Sequence, residues 1–284
     1  MSHEWKLPRH TLPMGERTLL MGILNVTPDS FSDGGQFYLA ERALGRAREL
    51  IAEGADIIDV GGESTRPGSE PVTAEEEMRR IIPVVEQLAR DTEVVISVDT
   101  TKAEVARAAV SAGAEIINDI SALRFDFHIA DEVAKTGAGL VLMHSRGTPA
   151  TMHRLPPVPD ILGEVARSLR SSTSMAERRG VPSASIVLDP GIGFGKSAEQ
   201  NLELIARLDD LRSRLPGFPF LIGTSRKSFI GRLLEDAPVE QRIYGTMATV
   251  TAAVLGGAQI VRVHDLRAAR ETVRVADAIK RASG

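Results

Sequence analysis

Asp99, Asn118 and Asp189 each stand at the end of a short apolar run. A carboxylate accepts hydrogen bonds and an amide both accepts and donates, so two acids and an amide on neighbouring strand ends can grip the edge of a planar heterocycle bearing amino and ring N–H groups. The same set could equally bind a metal or form the carboxylate pair of a glycosidase. For a metal site the ligands are thin, because His144 and His153 are nine residues apart and no His-x-x-x-His spacing exists. The glycosidase reading leaves a set of cations unexplained. Arg66, Arg226, Lys227, Arg262 and His264 together predict a cationic mouth on a chain of net charge −4, which argues for an anionic substrate. Arg262 and His264, two residues apart in one apolar run, project from the same side of a strand. Ser228 follows Lys227 at an expected helix start, where a hydroxyl suits a carboxylate or phosphate.

Three loops add to this set. Ile186–Lys196 runs Ile-Val-Leu-Asp-Pro-Gly-Ile-Gly-Phe-Gly-Lys, with glycines at every second position where something must approach the backbone closely. Lys196 and the capping-box pattern Ser197-Ala-Glu-Gln200 give it the look of a phosphate loop, but the glycine spacing fits neither a P-loop nor a dinucleotide fingerprint. The stretch Asn25–Gly35 combines an amide, carboxylates, hydroxyls and a glycine pair, and can order over a ligand or hold a hard cation through oxygen. Gly61–Gly68 offers Arg66 as a planar fork for carboxylate or phosphate.

The elements that must position these residues alternate. From Leu19 onward, strand candidates at Leu19–Asn25, Ile57–Gly61, Val94–Asp99, Ile116–Asp119, Leu140–His144, Ile186–Asp189, Phe220–Thr224 and Ile260–His264 are each followed by a segment of helical period. Those segments are Leu39–Glu53, Ala74–Arg90, Lys102–Ala112, Ile129–Thr136, Ile161–Arg179, Ala198–Arg212, Gln241–Leu255 and Leu266–Arg281. Thr73-Ala-Glu-Glu76 and Thr101-Lys-Ala-Glu104 read as capping boxes. Gly-Ala pairs at Gly54, Gly113, Gly137 and Gly257 close helices just before strands. Eight such units over one chain predict an α/β fold, a (β/α)8 TIM barrel, in preference to a doubly wound open sheet. The strands run into polar residues at their C-terminal ends, where such barrels place their active sites. Residues 1–18, with Pro8 and Pro13 and no helical period, predict an irregular or hairpin lid over the other end, leaving 19–284 as one domain.

Composition limits the function classes. With 43% hydrophobic and 25% charged residues among 284, the chain has the material for a large core. No basic excess points to nucleic acid, and no apolar run reaches transmembrane length. The absence of cysteine excludes disulfides and thiol catalysis and fits the cytoplasm. Met1–Arg17 carries charges and prolines where a signal peptide needs an apolar core.

Several long motifs occur in order: Met21–Gly35, Asp59–Gly68, Ser97–Thr100, Ile117–Ile120, Ile186–Lys196, Thr224–Lys227 and Arg262–His264. Together they strongly resemble the dihydropteroate synthases of folate biosynthesis, which are pterin-binding enzymes. The resemblance implies condensation of 6-hydroxymethyl-7,8-dihydropterin diphosphate with 4-aminobenzoate, giving 7,8-dihydropteroate and diphosphate, with Mg2+ as cofactor and a homodimer near the C-terminal helices. It implies that Asp189 takes the 2-amino and N3 edge of the pterin, Asn118 and Asp99 the opposite ring nitrogens, and Lys227 the 4-oxo side. Ile120, Met143, Phe194, Gly223 and the Arg262 guanidinium would line or stack on the ring. Diphosphate would meet Asn25, Arg66, Arg262 and His264, with Asn25 and Asp33 near the metal. Aminobenzoate would occupy Phe31, Thr65, Pro67, Phe194, Lys227 and Ser228. An aryl amine is a weak nucleophile, so an SN1-like path follows, in which Asp99, Lys227, Arg262, Asn25 and Asp33 assist departure of the diphosphate.

Ser145 and Thr101 depart from the family's frequent choices, and Arg124–His128 is less typical. A pterin-binding methyltransferase shares the barrel and the pterin grip but needs no diphosphate site. A catalytically silent homologue would be expected to lose loop residues first, yet Asn25, Phe31, Asp33 and Arg66 are present.

Overall fold

The computed structural model describes residues 3–27, 36–64 and 69–282. Eight parallel strands form the barrel: β3 (Leu19–Asn25), β4 (Ile57–Gly61), β5 (Val95–Asp99), β6 (Ile116–Asp119), β7 (Gly139–Met143), β8 (Ile186–Asp189), β9 (Leu221–Ile222) and β10 (Ile260–Val263). Their order is β8-β7-β6-β5-β4-β3-β10-β9, and a parallel bridge from Leu188 to Phe220 joins the two ends of the sheet. The TIM-barrel expectation holds. β9 is shorter than the predicted Phe220–Thr224, because Gly223 begins the turn that delivers Ser225 to Lys227.

The strands are buried on both faces, which is why they read as apolar runs and not as alternating ones. Outside them lie α1 (Gln36–Glu53), α2 (Ala74–Asp91), α3 (Ala103–Ala112), α4 (Ile129–Thr136), α5 (Ile161–Arg178), α6 (Ala198–Ala206), α7 (Leu208–Arg214), α8 (Ser228–Leu233), α9 (Ile243–Leu255) and α10 (Leu266–Ala282). The Gly-Ala units behave as predicted: Gly54, Gly113, Gly137 and Gly257 all take positive φ.

Two local readings need correction. The single helix expected over Ala198–Arg212 is two, broken at Arg207, and no glycine or proline marks the break. Packing decides it, since Leu204, Ile205, Leu208 and Leu211 are all buried. The capping box at Thr101 does not form. Lys102 occupies the cap of α3 without a side-chain bond, and the Ala103 amide donates instead to Asp126 Oδ2 at 2.8 Å. At Thr73 only half of the predicted box forms, because Thr73 accepts from the Glu76 amide while the Glu76 carboxylate pairs with Arg79 and Arg80; Ser197 with Gln200 makes the full reciprocal box.

The N-terminal segment is an antiparallel hairpin of β1 (His3–Lys6) and β2 (Thr11–Met14). Trp5, fully buried, joins Met14, Leu19, Met21, Ile57, Val95, Ile116 and further apolar residues at the N-terminal ends of the strands in one cluster. Its indole N–H donates to the Ser185 carbonyl at 3.0 Å. The bottom of the barrel is thus closed, and the site must open at the top.

Candidate active site

Strand register builds the site. Asn25 of β3 is level with Gly61 of β4, Gly61 with Asp99 of β5, and Asp99 with Asn118 of β6. The amide, the acid and the second amide therefore stand in one row, separated only by a glycine. A Cβ built on Gly61 would lie 3.7 Å from Asp99 Cβ and 3.8 Å from Asn25 Oδ1, so both side chains face the space above it. On the far side Met143 of β7 is level with Asp189 of β8.

A buried charge network sits beneath this row. Arg262 of β10 donates from Nε to Asp59 Oδ2 at 2.6 Å and from Nη2 to Asp99 Oδ2 at 3.0 Å. Asn118 Nδ2 donates to the same Asp59 oxygen at 3.1 Å, and Ser97 Oγ to Asp59 Oδ1 at 2.6 Å. Asp59 is fully buried and was not singled out from the sequence, although an acid in the middle of the apolar run Ile57–Gly61 is a readable signal. Burial pushes the Asp99 carboxyl up to about 7, with Arg262 opposing and Asp59 and Glu77 adding to the rise. Burial lowers the Arg262 guanidinium, but Asp59 and Asp99 outweigh it and hold its pKa above the ordinary value.

Across the mouth, Asp189 is buried and raised to about 6 by that burial, although Oδ1 accepts from the Gly191 amide at 2.7 Å. Lys227 is drawn down to about 8 by burial and by Arg262, and its ammonium stands 4.1 Å over the Phe194 ring. Phe194, Ile120 and Met143, all expected at the ring, do form an apolar cluster, together with Met152. Met152 was missed because it comes from a short 3-10 turn, Met152–Arg154, inside the long β7–α5 loop. Gly223 is beside Arg262, whose Cβ is 3.8 Å from a built Cβ. Ser228 is exposed and opens α8.

The close approach expected at the glycines of Ile186–Lys196 is seen. A Cβ on Gly191 would sit 1.9 Å from the His144 carbonyl oxygen and one on Gly195 2.5 Å from the Arg146 carbonyl oxygen. The β7–α5 backbone is what approaches, and both glycines are held at positive φ. Lys196, which gave the stretch the look of a phosphate loop, staples this loop. Its ammonium donates to the carbonyls of Gly191 at 2.7 Å, Phe194 at 3.1 Å and His144 at 3.3 Å, while burial lowers its pKa to about 7.

The cationic mouth is smaller than its sequence composition. Arg226 is paired with Asp265 through Nε at 3.0 Å and Nη2 at 2.5 Å. His264 is lowered to about 3 by burial and by Arg262 and Arg226, so it is neutral at pH 7, with Nδ1 2.9 Å from Ser225 Oγ. Among the described residues, Lys227 and Arg262 remain as the cations that face the row of acids. Phe31, Asp33, Thr65, Arg66 and Pro67 lie outside the described residues. Among the described residues no group of three His, Asp or Glu is arranged to hold a metal. A cavity of about 270 Å³ opens beside Asp99 and Ile120, bordered by Lys102, Phe125 and Pro149.

A family model described as "Pterin binding enzyme" matches residues 21–264. The chain belongs to the pterin-binding enzyme family. It is 48% identical over 267 residues to the dihydropteroate synthase of Synechocystis, covering 94% of this chain and 92% of the relative. The dihydropteroate synthase of Xanthomonas albilineans with 4-aminobenzoic acid superposes with a TM-score of 0.91 at 43% identity, over 99% of each chain. That of Burkholderia cenocepacia complexed with 7,8-dihydropteroate gives 0.88 at 40%, over 99% of this chain and 98% of the other. As a pterin-binding enzyme, the chain keeps the motif-bearing strand ends at the barrel mouth, where Asp99, Asn118, Asp189, Lys227 and Arg262 stand near one another above the buried Asp59.

Proposed function

We propose that this chain is a dihydropteroate synthase, joining 6-hydroxymethyl-7,8-dihydropterin diphosphate to 4-aminobenzoate with loss of diphosphate. The observation that carries this is the acid–amide row Asp99 and Asn118, tied to Arg262 and facing Asp189 and Lys227. Asp189 takes the pterin's 2-amino and N3 edge, Asn118 and Asp99 the opposite nitrogens, and Lys227 the 4-oxo group. Ile120, Met143 and Phe194 form the apolar wall, and the Arg262 guanidinium lies against the ring. The aminobenzoate carboxylate meets Ser228, with Phe31, Thr65 and Pro67 completing its pocket.

The reaction proceeds by departure of diphosphate ahead of full amine attack. Arg262, with Arg66, offsets negative charge on the leaving oxygens. Asp99 faces the ring left electron-poor and, when ionised, stabilises it. The free aminobenzoate amine then attacks the exocyclic carbon and loses its proton, and no covalent enzyme intermediate forms. His264, neutral at pH 7, contributes a hydrogen bond to diphosphate and no charge. Asn25 fits a hard cation: its amide lies at the end of β3 without a hydrogen-bond partner among the described residues. Asn25 and Asp33 would hold Mg2+, which would supply further neutralisation of the diphosphate charge. The buried Arg262 beside Asn25's row favours this reading over a methyl transfer, which has no diphosphate to bind.

A cytoplasmic homodimer belongs to the same reading. No helix of the described residues is long and apolar enough to cross a membrane. Tyr244 of α9 and Val275 and Ile279 of α10 are 85%, 62% and 48% exposed on adjoining helices, which is apolar surface suited to a second copy. Val275→Glu should shift sedimentation from dimer to monomer; a wild-type protein sedimenting as a monomer removes the dimer.

The decisive experiment supplies pterin diphosphate, Mg2+ and 4-aminobenzoate and measures diphosphate release. Release that depends on the amine and yields dihydropteroate is expected. Release without the amine and without dihydropteroate would count against the synthase assignment.

A further inference from the structure

Asp59 is fully buried in β4, two residues before Gly61, yet the two side chains above it that hold the ring both bond to it. Its Oδ2 accepts from Arg262 Nε at 2.6 Å and from Asn118 Nδ2 at 3.1 Å. The second oxygen is occupied by Ser97 Oγ at 2.6 Å. An ionised carboxylate only accepts, so the atom of Asn118 that faces it must be the amide nitrogen. The amide oxygen of Asn118 is thereby turned away from Asp59. Arg262 is fixed in the same way: Nε to Asp59 and Nη2 to Asp99 commit one edge of the planar group and leave its face and remaining N–H groups for the ligand.

Resting on the pterin reading above, we propose that Asp59 is a positioning residue that fixes the amide orientation of Asn118 and the plane of Arg262, and so sets which ring edge the enzyme accepts without touching the ring. Asn118 then presents its carbonyl as a fixed acceptor to a ring N–H or amino group. A ring that offers only an acceptor at that edge meets an unpaired oxygen and is rejected. The effect is confined to the pterin half of the site. Ser228, on the aminobenzoate side, opens α8, and none of the three donors to Asp59 is assigned to that side.

Asp59→Asn keeps the side-chain volume but leaves one carbonyl oxygen for three donors and introduces an amide against which Asn118 can turn over. Its dissociation constant for pterin diphosphate, read directly by calorimetry, should rise about thirtyfold, while the KM for 4-aminobenzoate stays within about twofold. Equal loss on both substrates, accompanied by a lowered melting temperature, would mean a merely structural acid and overturn the proposal. Asn118→Asp provides a second route should Asp59→Asn fail to fold. It sets two carboxylates against each other, and they can bond only by sharing a proton. Pterin affinity, relative to the wild type at the same pH, should then recover about tenfold from pH 8 to pH 6; a flat ratio would overturn the proposal. Because binding is measured apart from turnover, a wild type that forms no dihydropteroate sinks the functional reading alone, and equal pterin binding by wild type and Asp59→Asn sinks this one alone.

Discussion

The two ends of the barrel contain the same kinds of residue in opposite states. At the bottom, Glu115 is 1% exposed, and it accepts from the Arg9 amide at 2.8 Å, the His10 amide at 3.1 Å and the His10 ring at 2.7 Å. Around it the strand starts are sealed by Trp5 and its apolar neighbours. At the top, Asp99 and Asp189 are pushed up to about 7 and about 6, and Lys227 and Lys196 down to about 8 and about 7, each chiefly by burial. A carboxylate given enough donors belongs to the fold. One buried with too few is held in a state that a bound ligand can relieve, and this separates the stabilising end from the reacting end.

Removing the plug should have the largest effect, and it should fall on stability alone. Trp5→Ala opens a cavity at the foot of eight strands and removes the bond to Ser185; a loss of about 3–5 kcal/mol in unfolding free energy is expected. The KM values of the folded fraction should be unchanged. A denaturant titration checks the first and steady-state kinetics the second, and altered KM values would mean that the two ends are coupled.

Asp99→Asn is the counterpart at the top. Turnover should fall about a hundredfold, or about 2.7 kcal/mol in barrier, while pterin binding remains measurable. Unchanged turnover would remove Asp99 from its assigned role. The pH dependence sharpens this assignment. Asp99 takes up a proton as pH falls through about 7, and Lys227 loses one as pH rises through about 8. The kcat/KM for pterin diphosphate should therefore be bell-shaped, with limbs near those values and about a tenfold change per pH unit beyond them. In Asp99→Asn the acid limb should move down to about 6, where Asp189 takes up its proton.

Much of this contrast was legible in the sequence. The barrel could be read because the strands are short apolar runs with polar residues at or just past their ends, Asn25, Asp99, Asn118 and Asp189 among them. What could not be read was pairing across the barrel. Arg226 and His264 counted as cations until Asp265 was found on the first and burial was found to neutralise the second. Likewise, the glycines after Asp189 announced a close approach without saying what approached, because the His144 and Arg146 carbonyls lie more than forty residues away in the chain. Asp59 is visible only as an acid in an apolar run; its three donors come from three other strands.

The smallest effect expected is on the pH dependence of stability, where the sign separates the two ends. Asp99, with a folded value near 7 against an ordinary 3.8, binds more protons in the native than in the unfolded state between those values. Its contribution to stability is therefore most favourable at low pH and declines as pH rises toward 7. Lys196 and Lys227, both lowered, bind fewer protons when folded, so their penalty is fully present below about 7 and fades as pH rises toward 10.5. Together these groups make the top of the barrel least stable near neutrality, where Asp99 and Lys227 both carry the charges the reaction uses. Replacing Asp99 by Asn should flatten the decline on the acid side, changing the difference in unfolding free energy between pH 5 and pH 7 by on the order of 1 kcal/mol. Glu115→Gln at the bottom should lower stability, since it removes a charged acceptor from the Arg9 and His10 amides. Urea titrations of wild type and Asp99→Asn at the two pH values make the comparison, and an unchanged difference would mean that Asp99 does not carry the raised value burial gives it.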